Sequence, residues 1–122
     1  MSETALSGRR VMVVEDEYFL ADELGRALSA AGAAVLGPAP SVDAALAPMG
    51  DDAPDVAVID VNLGGEMAYP VADALLVRGV PVLFTTGYDL TSLPERLLAV
   101  PRLEKPVATK AVLRELGRLL TG

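Results

Sequence analysis

Short, almost wholly apolar runs alternate with longer stretches of helical periodicity along this chain, and few folds accept that rhythm. The runs are VMVV (11–14), AVLG (34–37), VAVI (56–59), VPVLF (80–84) and a weaker VPRL (100–103). Residues 17–31 carry Phe19, Leu20, Leu24, Ala27 and Leu28 on one helical face. A second helix is expected over 41–49, with Ser41 as its N-cap. A third is expected over 70–78, with Pro70 in its first turn. Pro94 limits 91–98 to a short helix. The last, 108–120, carries Val112, Leu113, Leu116, Leu119 and Leu120 on one side. Strands in alternation with helices predict an α/β fold around a parallel sheet. Strands apolar at nearly every position are those covered by helices on both faces. The expectation is a five-stranded, flavodoxin-like sheet of order 2-1-3-4-5.

Polar residues interrupt the apolar runs only where strands should end. Glu15 and Asp16 follow the first run, Asp60 the third and Thr86 the fourth, and Lys105 stands before Pro106 after the fifth. Strand C-termini share one edge of a parallel sheet, and ligands bind there where the winding reverses, between strands one and three. Each residue has an ordinary alternative. Glu15 and Asp16 suit a helix N-terminus, and Glu17 fits that role better still. Asp60 suits a turn, Thr86 is a common strand end, and Lys105 has the composition of a solvated surface. Taken together they assemble carboxylates, a hydroxyl and an ammonium in one crevice. Clustered carboxylates stay ionised together only beside a cation. Mg²⁺ takes few protein oxygens, so two direct carboxylates and a backbone carbonyl from the 60–64 turn would suffice, and Asn62 is placed to offer that carbonyl. Gly87, after Thr86, leaves room for a bulky anion.

Composition narrows the chemistry. The 122 residues suffice for one domain, and the formal charge of −7 argues against a nucleic-acid surface. With no cysteine and no histidine, disulfides, thiolate metal sites and histidine general bases are excluded. No apolar stretch reaches the roughly 20 residues of a membrane span, and a cytoplasmic protein is expected. The reading is a flexible N-terminus over 1–8 and one domain over 9–122. No dinucleotide or P-loop glycine pattern is present. Lys110, Arg114 and Arg118 form a basic stripe on the last helix, either a solvated face or a partner surface.

These residues resemble the receiver domain of bacterial two-component response regulators. VVEDE is similar to the family's acidic pair after strand one, VIDVNLGG to its phosphoacceptor segment, FTTG to its switch hydroxyl and EKP to its lysine–proline pair. The likeness spans about residues 9–120. PVLFTTGYD and LPERLLAVPRLEKP are most similar to stand-alone receivers of alphaproteobacteria, although Asp89 occupies a position where some of them carry tyrosine. The chain departs from the family at Gly64, where proline is usual, at Arg102, where the switch aromatic is usual, and in a short fourth helical region.

The resemblance implies phosphoryl transfer to Asp60 from a sensor histidine kinase or a histidine phosphotransfer protein, with Mg²⁺ or Mn²⁺ as cofactor. Lys105 and Thr86 would each engage a phosphoryl oxygen. Tyr88, with Asn62, would flank the attacking water and set the lifetime of the acyl phosphate. Arg102 would substitute for the aromatic switch, signalling to an unidentified downstream protein. Such a domain promotes its own phosphorylation and slow dephosphorylation without being an enzyme on other substrates. The alternatives are a phosphate sink or shuttle in a phosphorelay, a Mg²⁺-dependent phosphatase and an interaction module that is never phosphorylated. The phosphatase reading meets Asn62 where a second carboxylate would be needed.

Overall fold

Five strands of the computed structural model pair in parallel, as the alternating pattern predicts, and stand in the expected order 2-1-3-4-5. The structure describes residues 5–50, 53–87 and 93–121. Its elements run β1 (Arg10–Val14), α1 (Tyr18–Ala30), β2 (Ala34–Ala39), α2 (Val42–Leu46), β3 (Val56–Asp60), β4 (Asn62–Leu63), β5 (Glu66–Met67), α3 (Tyr69–Leu76), β6 (Val82–Thr86), a 3-10 turn (Glu95–Leu97), β7 (Arg102–Glu104) and α4 (Thr109–Thr121). The sheet order is β2-β1-β3-β6-β7, and β4 and β5 form a separate two-stranded hairpin.

Alternation along the strands divides the core into two layers. Met12, Val14, Ile59, Val82 and Phe84 pack against Val42 and Ala45 of α2, Val71 and Leu75 of α3, and Leu97 of the 3-10 turn. Val11, Val13, Val58 and Leu83 pack against Leu24 and Leu28 of α1 and Val112 and Leu116 of α4. All five residues of β3 and of β6 are buried, which explains why those runs lack alternation.

Several boundaries differ from expectation for local reasons. The fourth strand runs from Val82 rather than Val80, because the Val80 amide closes α3 on the Leu75 carbonyl and Pro81 has no N–H to offer the ladder. The fifth begins at Arg102, because the Val100 amide closes the preceding turn on Leu97. The helix expected over 41–49 stops at Leu46, although Ser41 does cap it, its Oγ accepting the Ala44 amide at 3.1 Å. Only the 3-10 turn Glu95–Leu97 is seen of the helix expected over 91–98, and residues 88–92 lie outside the described residues. Phe19, read as a core position of the first helix, is 84% exposed; Ala21, Leu24 and Leu28 face the core instead.

The flexible segment expected over 1–8 divides in two. Residues 1–4 lie outside the described residues, whereas Leu6 is fully buried in the layer under α1 and α4. The Gly8 amide also bonds the Gly32 carbonyl at 2.8 Å. Among the described residues, no helix is long and apolar enough to cross a membrane.

Candidate functional site

The C-terminal edge of the sheet gathers charge that the strands could not hold inside. Glu15 follows β1 directly, and its amide bonds the Ala39 carbonyl at 2.9 Å, so its side chain is fixed on the inner side of the edge and only 3% exposed. Asp16, one residue on, faces solvent. Asp60 ends β3 and is 5% exposed. Carboxylate oxygens of Glu15, Asp16 and Asp60 lie within 4.8 Å of one another.

Lys105 reaches into this cluster from the loop after β7. Its Nζ donates to Asp60 Oδ2 at 2.8 Å and stands 3.3 Å from Glu15 Oε1. The Lys105–Pro106 peptide is cis. Asp60 Oδ1 accepts the Asn62 amide at 3.1 Å, so both of its oxygens are engaged. Burial, reinforced by the charge of Asp60, pushes the Glu15 carboxyl up to about 7, despite the opposing influence of Lys105. Burial would lower the Lys105 ammonium, but its hydrogen bond to Asp60 and the charges of Asp60 and Glu15 outweigh that, and its pKa is raised.

The segment after Asp60 is a tight hairpin, a feature the sequence reading did not reach. Asn62 and Leu63 pair with Met67 and Glu66 across Gly64 and Gly65, whose φ angles are +63° and +99°. Two central residues with positive φ are the signature of a type I′ hairpin. Proline, locked near −65°, cannot occupy Gly64, which accounts for that departure from the receiver pattern. The Gly-Gly pair was the available signal. The hairpin is tied down by Glu66, whose Oε1 accepts the Val42 amide at the start of α2 at 3.2 Å.

A crevice of about 370 Å³ opens above these groups, lined by Asp16, Glu17, Asp60, Asn62, Gly64, Gly65, Gly87 and Lys105. Asp16, Asp60, Asn62, Gly87 and Lys105 were expected here, and buried Glu15 lies against Lys105 beneath them. Glu17 was read as a helix-dipole residue. It occupies the N-cap of α1, yet its side chain caps nothing, and its Oε2 lies 4.0 Å from Lys105 Nζ. Thr86 is buried at the same edge but does not line the crevice. Arg102 lies exposed on β7, in register with Phe84. Pro106 lines a neighbouring groove with Phe19, Leu20 and Val107. Tyr88 and Asp89 lie outside the described residues. In the basic stripe on α4, Arg118 pairs with Glu115 of its own helix.

The donor set fits a small hard divalent cation. It consists of carboxylates beside a hairpin backbone, with one of the three acids forced toward its neutral form while Lys105 is the only ammonium among the crevice residues.

No protein-family model matches the chain. The sensory transduction protein LytT of Bacillus subtilis is 32% identical over 83 residues, 66% of this chain, and the chain spans about a third of that protein's length (34%). The solution structure of SdrG from Sphingomonas melonis Fr1 superposes with a TM-score of 0.77 at 35% identity, covering 97% of this chain and 98% of SdrG. The receiver (REC) domain of the PhyR response regulator from Erythrobacter litoralis has the same fold, with a TM-score of 0.75 at 24% identity, over 96% of this chain and 92% of that domain. With a parallel sheet wound 2-1-3-4-5, three acids and a lysine at its switch point and these relatives, the chain belongs to the receiver domains of response regulators.

Proposed function

We propose that this receiver domain accepts a phosphoryl group on Asp60, from a phosphohistidine of a sensor kinase or phosphotransfer protein, and signals by a change in protein–protein contacts. The observation that carries the reading is the Asp60 carboxylate, held 2.8 Å from Lys105 among two further acids at the mouth of an open crevice. Attack through a carboxylate oxygen needs no general base, so the absence of histidine is no obstacle. Positioning and charge neutralisation supply most of the catalysis in phosphoryl transfer.

Asp16, Asp60 and the Asn62 carbonyl would hold Mg²⁺ or Mn²⁺, with Glu15 engaged through water, and such an ion supplies neutralisation of phosphoryl charge. Lys105 pairs with a phosphoryl oxygen as the new charge arrives. Thr86 moves inward to donate to another. That movement reaches the surface through the β6–β7 pair, where Arg102 shares a face with Thr86 and carries a charge-linked readout. By the family resemblance, Asn62 and Tyr88 would govern the hydrolysis of the phosphoryl.

Incubation with Mg²⁺ and a small acyl phosphate, followed by intact mass, tests the proposal. One added phosphoryl is expected on the native chain and none on Asp60→Asn. An unmodified native chain, or equal labelling of the variant, rejects it.

A further inference from the structure

β6 ends in two threonines, and alternation places them on opposite faces of the sheet. Thr86 shares its face with Phe84, toward α2 and α3. Thr85 shares the face of Leu83, which packs with Val13 and Val58 under α1 and α4. Glu15, Asp60 and Lys105 follow Val13, Val58 and Leu103 by two residues each, so they fall on Thr85's face. Thr85 is the register partner of Asp60 on one side and of Leu103 on the other. It is 2% exposed, and its Oγ1 finds no hydrogen-bond partner among the described residues.

β6 lies between β3 and β7, so the Lys105 side chain must pass over it to meet Asp60 Oδ2 at 2.8 Å. In this resting arrangement the Thr85 hydroxyl makes no bond to the Asp60 carboxylate, whose Oδ2 accepts from Lys105 and whose Oδ1 accepts the Asn62 amide. A buried hydroxyl without a partner is destabilising, and valine, with the same shape, would remove that cost. Threonine here has the character of a donor held for another state of the site.

We propose that Thr85 is a reserve hydrogen-bond donor to the Asp60 carboxyl, engaged when phosphoryl transfer draws Lys105 away. The inference rests on the phosphoacceptor reading above. In the transfer, a new bond forms between one Asp60 oxygen and phosphorus. The donor's bond to phosphorus breaks, and the donor leaves with the electron pair. Lys105 follows the negative charge to a phosphoryl oxygen. The other Asp60 oxygen becomes the carbonyl of an acyl phosphate and loses its ammonium partner. Thr85, directly across the ladder, donates its O–H to that oxygen. The bond is absent in the resting state and present both in the transition state and in the product. It therefore speeds formation of the acyl phosphate and leaves its hydrolysis little changed.

The test compares native protein, Thr85→Val and Thr85→Ser, with Mg²⁺ and a small acyl phosphate, following formation and decay of the phosphoprotein by intact mass. Thr85→Val should slow formation about tenfold, the worth of one hydrogen bond, while decaying at the native rate and melting no lower than the native chain. Thr85→Ser, which keeps the hydroxyl, should stay within about threefold of native formation (under half of one hydrogen bond's worth). If the valine variant forms phosphoprotein at the native rate, or both variants slow equally, the inference is overturned while the acceptor role of Asp60 stands. A native chain that gains no phosphoryl overturns both. Should the valine variant not fold, Thr85→Ala is read in its place by the same comparison.

Discussion

Glu15 is the least exposed acid among the described residues, and its titration is readable in stability. Its carboxyl is pushed from 4.5 up to about 7 by burial and by Asp60. Between those values the folded chain holds a proton that the unfolded chain has released, so stability falls as pH rises from about 4.5 to about 7. The size is a few kcal/mol at most, at about 1.4 kcal/mol per unit. Denaturant unfolding in chelator across that range should show the decline, and Glu15→Gln should flatten it. Gly64 offers a second test. A Cβ added there would lie 3.3 Å from Asp16 Oδ2, on a backbone already at φ +63°. Gly64→Ala should lose about 1–2 kcal/mol from the left-handed conformation alone. It should also weaken Mg²⁺ binding through Asp16, as measured by titration calorimetry, whereas Gly64→Asn, a residue tolerant of that conformation, should fold better than the alanine variant.

The 3-10 turn Glu95–Leu97 is held by two unlike contacts, and their energies differ. Arg96 makes a two-pronged ion pair with Asp73 of α3, through Nε at 3.0 Å and Nη2 at 2.8 Å, but the pair is open to solvent. Exposed pairs add little to stability. Leu97 is 1% exposed in the layer under α2 and α3. Leu97→Ala should therefore cost about 2–5 kcal/mol, and Arg96→Ala far less, in parallel denaturation curves. Equal losses would show that the ion pair, and not the leucine, anchors this stretch. The type I′ hairpin is the other element that shapes the site, since it holds the Asn62 amide on Asp60.

Across the whole molecule, the core under α1 and α4 includes the N-terminal Leu6. Deleting residues 1–8 should cost roughly the 2–5 kcal/mol of a large buried side chain, measurable as a lowered unfolding midpoint. The three acids against one lysine also leave the resting fold electrostatically unbalanced. A cation bound only by the folded state stabilises it by mass action, by about 2.7 kcal/mol at a hundredfold excess over its Kd. Mg²⁺ should raise the unfolding midpoint of the native chain and leave that of Asp16→Asn nearly unchanged. An equal rise in both would place the ion elsewhere.

The parallel sheet and the convergence of Glu15, Asp16, Asp60 and Lys105 were legible from the chain, because both rest on local signals, whereas the strand order is a non-local property that the receiver resemblance supplied. Apolar runs of strand length specify buried strands, and polar residues at their ends share an edge wherever such strands lie parallel. Features set by non-local partners were hidden. Phe19 fits the helical stripe, yet Ala21, Leu24 and Leu28 take the core face of α1 and leave it in solvent. Leu6 looked like part of a loose end until the layer under α1 and α4 supplied its neighbours. Glu17 is an ordinary helix-start acid in the sequence, and only the crossing of Lys105 over β6 brings an ammonium to it. Thr85 and Thr86 are adjacent and chemically identical. Pleating and register place one beside Asp60 and the other on the opposite face, because side-chain direction belongs to the assembled sheet and not to the residue.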